Sequence, residues 1–103
     1  MKKVIDGRIF DTTKATRVAF HSNGRSDSDF RTESEGLYRT SRGTWFLAGE
    51  GGALTKYRRP CGDMWGYGEA IIPLTDQEAL KWLEDHEGTS LAEKYFEDVL
   101  EEA

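Results

Sequence analysis

The sequence predicts an α+β fold: an antiparallel, hairpin-rich sheet with a C-terminal helix pair packed on one face. Three observations predict it. The segments with strand-like alternation all lie in residues 1–74, and the two with helical spacing lie in 75–102. Short clusters of turn formers join them, with no repeat, low-complexity tract or linker, so the 103 residues read as one domain.

Val4-Ile5 and Ile9-Phe10 flank Asp6-Gly7, a dipeptide that favours a two-residue hairpin turn. Residues 16–22, TRVAFHS, alternate as a half-buried strand does, and SNGRSDSD after them is a loop of small polar residues. Leu37-Tyr38-Arg39-Thr40 and Thr44-Trp45-Phe46-Leu47 then enclose Ser41-Arg42-Gly43, a hairpin loop with glycine at the positive-φ position. Trp45 and Leu47 point to one face, Phe46 and Ala48 to the other. Two apolar faces predict a central strand. A last strand is expected at Glu69–Ile72.

Thr75 is the expected N-cap, with Glu78 three residues on to complete a capping box and Leu74 to staple onto Ala79. Ala79, Leu80, Trp82 and Leu83 follow at helical spacing, and Gly88 is the expected stop. A second helix is expected from Thr89 or Ser90, with Glu93 completing a box from Ser90. Its apolar stripe is Ala92, Tyr95, Phe96, Val99 and Leu100.

Hydrophobic residues make up 37 % of the chain and charged residues 32 %, the balance of a soluble domain. No apolar run approaches the ~20 residues needed to span a bilayer, and no apolar core follows Lys2-Lys3 as in a signal peptide. One cysteine, Cys61, cannot form an internal disulfide. These features point to the cytoplasm and to no membrane association. The net charge of −5 is unevenly spread: residues 1–60 hold 12 bases and 7 acids, residues 61–103 hold 2 bases and 12 acids. Such a split suits a charged partner or mutual attraction of the two halves.

Gly49-Glu50-Gly51-Gly52 has the glycines of a phosphate loop but the wrong surroundings. Glu50 puts a carboxylate where the anion would sit, no helix follows, and Lys56 does not succeed a glycine. A bulge or a sharp exit from the Trp45 strand is the expected role. The stretch after it interleaves Lys56, Arg58 and Arg59 with Tyr57, and Trp65 and Tyr67 follow among glycines. Arginine beside exposed aromatics suits a protein-binding hot spot or single-stranded nucleic acid. The alternative is that the aromatics pack beneath a long loop while the arginines pair with the acidic helices.

A helix-turn-helix at 75–102 is excluded by charge, because the second helix would carry Glu93, Glu97, Asp98, Glu101 and Glu102 against Lys94. Glu93, Glu97 and Glu101 could instead imitate a phosphate track in a basic groove of another protein. Catalytic signals are thin. Nothing brings His21 and Cys61 together, Asp27-Ser28-Asp29 lacks the glycine and distant glutamate of a calcium loop, and His86 complements a helix C-terminus. No enzyme activity, cofactor or metal is expected.

VIDGRIFDT, LYRTSRGTWFLAGEGG and GEAIIPLTDQEALKWLE together resemble a family of small proteins from phages, plasmids and conjugative elements, mainly of Gram-positive bacteria. The resemblance covers most of the chain. Its most specific parts are Leu37–Thr40, Trp45–Leu47 with the glycines after it, and Ile71–Leu74 leading into Glu78, Ala79 and Trp82. Some members are similar to anti-CRISPR proteins, small inhibitors of CRISPR effector complexes, and the family supplies no catalytic motif. The resemblance implies a non-enzymatic protein that binds a host protein, a CRISPR effector nuclease or its guide-RNA complex. Lys56, Tyr57, Arg58, Arg59, Trp65 and Tyr67, or Glu93, Glu97 and Glu101, would make the contact. The second expectation is a small nucleic-acid-binding regulator that places Arg39, Arg42, Lys56, Arg58 and Arg59 on phosphates.

Overall fold

The computed structural model of the chain describes residues 1–26 and 28–103. Asp27 of the Asp27-Ser28-Asp29 alternation lies outside the described residues. The first hairpin pairs β1 (Lys2–Ile5) with β2 (Arg8–Asp11) in the register Ile5↔Arg8. Asp6 and Gly7 both have positive φ, 51° and 75°, as the predicted tight turn requires.

Four further strands make the main sheet: β3 (Thr16–Ser22), β4 (Glu33–Arg39), β5 (Trp45–Gly51) and β8 (Gly68–Leu74), antiparallel in that order. Between β5 and β8 the chain leaves the sheet and forms a short arm, β6 (Arg59–Cys61) paired with β7 (Met64–Gly66). The arm corrects the expectation of a long loop. Its signal is the two-residue turn Gly62-Asp63, with Gly62 at φ 66°.

β5 is central, with both faces covered. On one, Leu37, Trp45 and Leu47 pack with Ala79, Trp82, Leu83, Ala92 and Phe96 of the helices. On the other, Phe46 and Ile71 pack with Phe10 of the first hairpin, Phe10 meeting Phe46 edge-on at 5.4 Å. The sheet is therefore sandwiched between a helix pair and a small hairpin, as alternation along WFLA demands. The glycines after Trp45 do not form a bulge or an exit. β5 runs through Gly51 in unbroken register with both neighbours.

α1 (Asp76–Asp85) starts on the predicted capping box: Thr75 Oγ1 accepts from the Glu78 N–H at 3.1 Å, and Glu78 Oε1 accepts from the Thr75 N–H at 2.8 Å. Its C-terminus differs from expectation. Glu87, at φ 59°, takes the left-handed position, and the Gly88 N–H then closes onto the Leu83 carbonyl at 2.7 Å. α2 (Thr89–Phe96) begins on Gly88 without a side-chain cap, so the Ser90–Glu93 box does not form.

Helix α2 also stops earlier than its stripe suggests. After Phe96 only one 3₁₀ turn remains, Glu97–Val99, and Val99 and Leu100 are exposed. Glu97, Asp98, Glu101 and Glu102 would place negative charge at a helix C-terminus, where the backbone dipole is already negative. No helix among the described residues is long and apolar enough to cross a membrane. The radius of gyration, 14.9 Å, exceeds the ~13 Å of a compact chain this size, consistent with hairpins standing off the central sheet.

Candidate functional site

The β6–β7 arm and its flanks carry Arg58, Arg59, Trp65 and Tyr67 of the residues singled out from the sequence, and a buried polar network fixes its root. Register builds that network. Glu35 on β4 stands between His21 on β3 and Gly49 on β5, all three on the helix-covered face. Gly49 leaves a slot there. A Cβ at this position would lie 2.1 Å from Tyr57 Cζ, so only glycine lets the Tyr57 ring lie against the strand. Gly51 clears the same connection, its would-be Cβ falling 2.3 Å from Thr55 Oγ1, and Gly52 clears the β3–β4 loop, its would-be Cβ falling 2.6 Å from the Phe30 carbonyl oxygen.

With its ring in the slot, Tyr57 donates to Glu35 Oε2 at 2.5 Å, while Trp82 Nε1 of α1 donates to Glu35 Oε1 at 3.1 Å. Lys56 Nζ completes the set, 2.7 Å from Glu35 Oε2 and 3.9 Å from Glu33 Oε1. Burial raises the Glu35 pKa, but the hydrogen bonds from Lys56, Tyr57 and Trp82 and the Lys56 charge outweigh it. The carboxyl is held below its ordinary value. Burial, then the bond to anionic Glu35, pushes the Tyr57 phenol far up. The Tyr57 hydrogen bond and the Lys56 ion pairs tie the chain just before the arm to strand β4, and the Trp82 bond ties α1 to the same carboxylate. At the arm's other end Gly68 passes so close to the Tyr57 carbonyl that a Cβ would stand 2.2 Å from it. Both ends are pinned together.

Beyond this anchor the arm is exposed. Arg58 stacks on Trp65, Cζ 4.1 Å from the ring centroid. Trp65 is 49 % exposed and Met64 73 %, and Tyr67, just after β7, also presents apolar surface to solvent. Arg59 and Cys61 are exposed too.

Among the sequence-derived candidates, Arg58, Arg59, Trp65 and Tyr67 thus share one projecting element. Tyr57 does not belong with them. It is 3 % exposed and shapes the arm's root, so its assignment as a partner-contacting residue is corrected by burial. Lys56 is half-exposed but committed to Glu35 and Glu33. Arg39, expected on phosphates, lies between Trp45 and Tyr95, with Cζ 5.2 and 5.6 Å from the two rings.

Glu93, Glu97 and Glu101 are all exposed, yet they do not form one helical row. Glu93 is on α2, Glu97 in the 3₁₀ turn and Glu101 in the irregular tail. Among the described residues no ion pair joins a base of residues 1–60 to an acid of 61–103. The charge asymmetry is not consumed by internal pairs.

His21 and His86 are brought together by the fold, which the sequence did not signal. Their rings meet edge-on at 4.5 Å above a 150 Å³ pocket also lined by Asn23, Glu33 and Glu35. His86 also stacks on Trp82 and places Nδ1 2.7 Å from the Trp82 carbonyl oxygen, so it caps α1 as expected of a residue at that end. Cys61 is not in this pocket. No group of three or more His, Cys, Asp or Glu among the described residues is arranged to hold a metal ion. Glu35 and Trp82 were missed from sequence, since nothing local separates a buried glutamate from the exposed ones beside it.

Comparison with protein-family models, with curated proteins and with solved structures returns no match.

Proposed function

We propose that this chain is a non-enzymatic binding protein of a mobile element that inhibits host nucleic-acid-handling machinery, with a CRISPR effector complex as its target. The β6–β7 arm is the contact surface. The observation that carries the reading is the stacked Arg58–Trp65 pair on an arm pinned at its root by Tyr57 and Glu35. Arginine and tryptophan are the residues in which interface energy concentrates, and an arm held rigid loses little entropy when it docks. Met64 adds an adaptable apolar contact. The target class rests on the resemblance of the Leu37–Thr40, Trp45–Gly52 and Ile71–Trp82 segments to mobile-element proteins.

The test incubates the purified protein with a panel of CRISPR effector nucleases, with and without guide RNA, reading co-elution and target cleavage. Co-elution with inhibition, lost in Trp65→Ala and Arg58→Ala but kept in Lys81→Ala, supports the reading. Absence of binding across the panel removes the target class. Inhibition that survives Trp65→Ala and Arg58→Ala removes the arm, and loss on charge reversal of Glu93, Glu97 and Glu101 then transfers the contact to the acidic end.

One observation favours the regulator as second reading: Arg42, Arg58 and Arg59 are exposed and have no ion-pair partner among the described residues. That reading requires direct nucleic-acid binding that weakens steeply with salt.

A further inference from the structure

A cavity lies away from the arm, where the first hairpin meets the β4–β5 turn. It measures about 430 Å³, within the ~300–1,000 Å³ range of small-molecule sites. Arg8 and Lys14 enter from the hairpin side, and Arg42 from the turn. Thr40, Ser41 and Thr44 add hydroxyls along the same wall.

Two features make this more than a basic surface. Arg8 Nη2 donates to Thr44 Oγ1 at 3.0 Å, which ties the guanidinium across the junction of two separate hairpins. The Lys14 and Arg42 side chains have no hydrogen-bond or ion-pair partner among the described residues. Asp11 is the single carboxylate in the lining. Its Oδ1 is occupied by Thr13, accepting from the backbone N–H at 2.9 Å and from Oγ1 at 2.7 Å. Three cations thus line a concave space with one carboxylate to offset them. Their mutual repulsion is relieved when an anion enters.

The lining also narrows the chemistry. Arginine forks and hydroxyl donors match the several oxygens of a phosphate group. Base stacking on single-stranded nucleic acid needs exposed aromatic faces, and the aromatic residue lining this cavity, Phe10, is 2 % exposed. We propose that this cleft binds a small phosphate-bearing ligand of mononucleotide size, its phosphates held by Arg8, Lys14 and Arg42. The site is independent of the arm and of any reading of what the arm contacts.

The experiment is an amide-resolved NMR titration of the full chain with pyrophosphate and with adenosine mono-, di- and triphosphate, at matched ionic strength. Saturable shifts are expected at residues 7–15 and 40–44, with affinity rising with phosphate number. Arg42→Gln and Lys14→Gln should each weaken binding by ~10-fold, the loss from removing one charge-assisted hydrogen bond. Both side chains are exposed and unpartnered, so the variants keep the wild-type spectrum. Arg17→Gln, which removes a cation stacked on Phe20 of β3 outside the cleft, should bind as wild type. Shifts that do not saturate, that map elsewhere, or that persist equally in both glutamine variants overturn the proposal. Tighter binding of a single-stranded oligonucleotide than of every mononucleotide also overturns it, in favour of a nucleic-acid surface.

Discussion

Gly49→Ala is the most direct probe of how the arm is anchored. Gly49 does not have a positive φ, so the backbone itself tolerates alanine. Space does not. The added Cβ would stand 2.1 Å from Tyr57 Cζ and 2.2 Å from its hydroxyl oxygen, where ordinary carbon contacts need ~3.5–4.0 Å. The ring must retreat by more than ~1 Å, which breaks its bond to Glu35. If the ring stays buried, the loss is that of one hydrogen bond to a charged group, ~1.5–3 kcal/mol. Full expulsion approaches the ~3–5 kcal/mol of deleting a buried aromatic.

Against a total stability of roughly 5–15 kcal/mol, this is a large fraction. Urea denaturation followed by circular dichroism should show the midpoint falling by about 1–3 M. The decisive measurement is the double-mutant cycle with Tyr57→Ala. With the ring gone, Gly49→Ala has room and should be neutral or stabilising by ~0.5–1 kcal/mol, because alanine loses less chain entropy than glycine in a strand. A Gly49→Ala protein within ~0.5 kcal/mol of wild type, or a cycle that is additive within that margin, would refute the packing argument.

Glu35→Gln turns one accepting oxygen into a donor facing donors and should cost ~1.5–3 kcal/mol at neutral pH. Because the Glu35 carboxyl titrates below its ordinary 4.5 in the fold, its stabilisation is full above that value and fades as pH falls through the folded pKa. Melting temperature against pH should therefore drop less between pH 5 and 3 in Glu35→Gln than in wild type, and parallel curves would remove Glu35 from the acid response. The Tyr57 phenol is raised from an ordinary 10.0, so the folded state keeps a proton that the unfolded chain releases. Its stabilisation is complete below pH 10 and declines above it, and Tyr57→Phe should flatten the urea midpoint between pH 9 and 11. Thr75→Ala removes the acceptor of the α1 capping box, at ~1 kcal/mol and ~4–8 °C of melting temperature. A change under 1 °C would mean that helix packing alone sets the α1 boundary.

The sequence by itself determined the features that depend on neighbours along the chain. Asp6-Gly7 and Gly43 have the positive φ values their turns need, Thr75 and Glu78 close their box, and alternation through Trp45–Ala48 marks a strand covered on both faces. Even the arm had its local sign in Gly62-Asp63. Where local reading erred, at the end of α2 and at the supposed glycine exit, one pattern met a second constraint that it does not itself encode. For α2 that constraint is acidic charge at the helix end. For Gly49 it is a ring arriving from the next loop.

Only the tertiary structure decided which residues are anchors and which are surface. Glu35 meets Tyr57 from 22 positions away and Trp82 from 47, and Tyr57 becomes an anchor while Trp65, in the same basic and aromatic stretch, stays in solvent. The cleft is of the same kind, since Arg8 and Thr44 lie 36 residues apart. Such meetings are set by strand register and by which hairpin covers which face. A sheet brings distant residues onto one row, and no residue's own neighbours in the chain specify the row it joins.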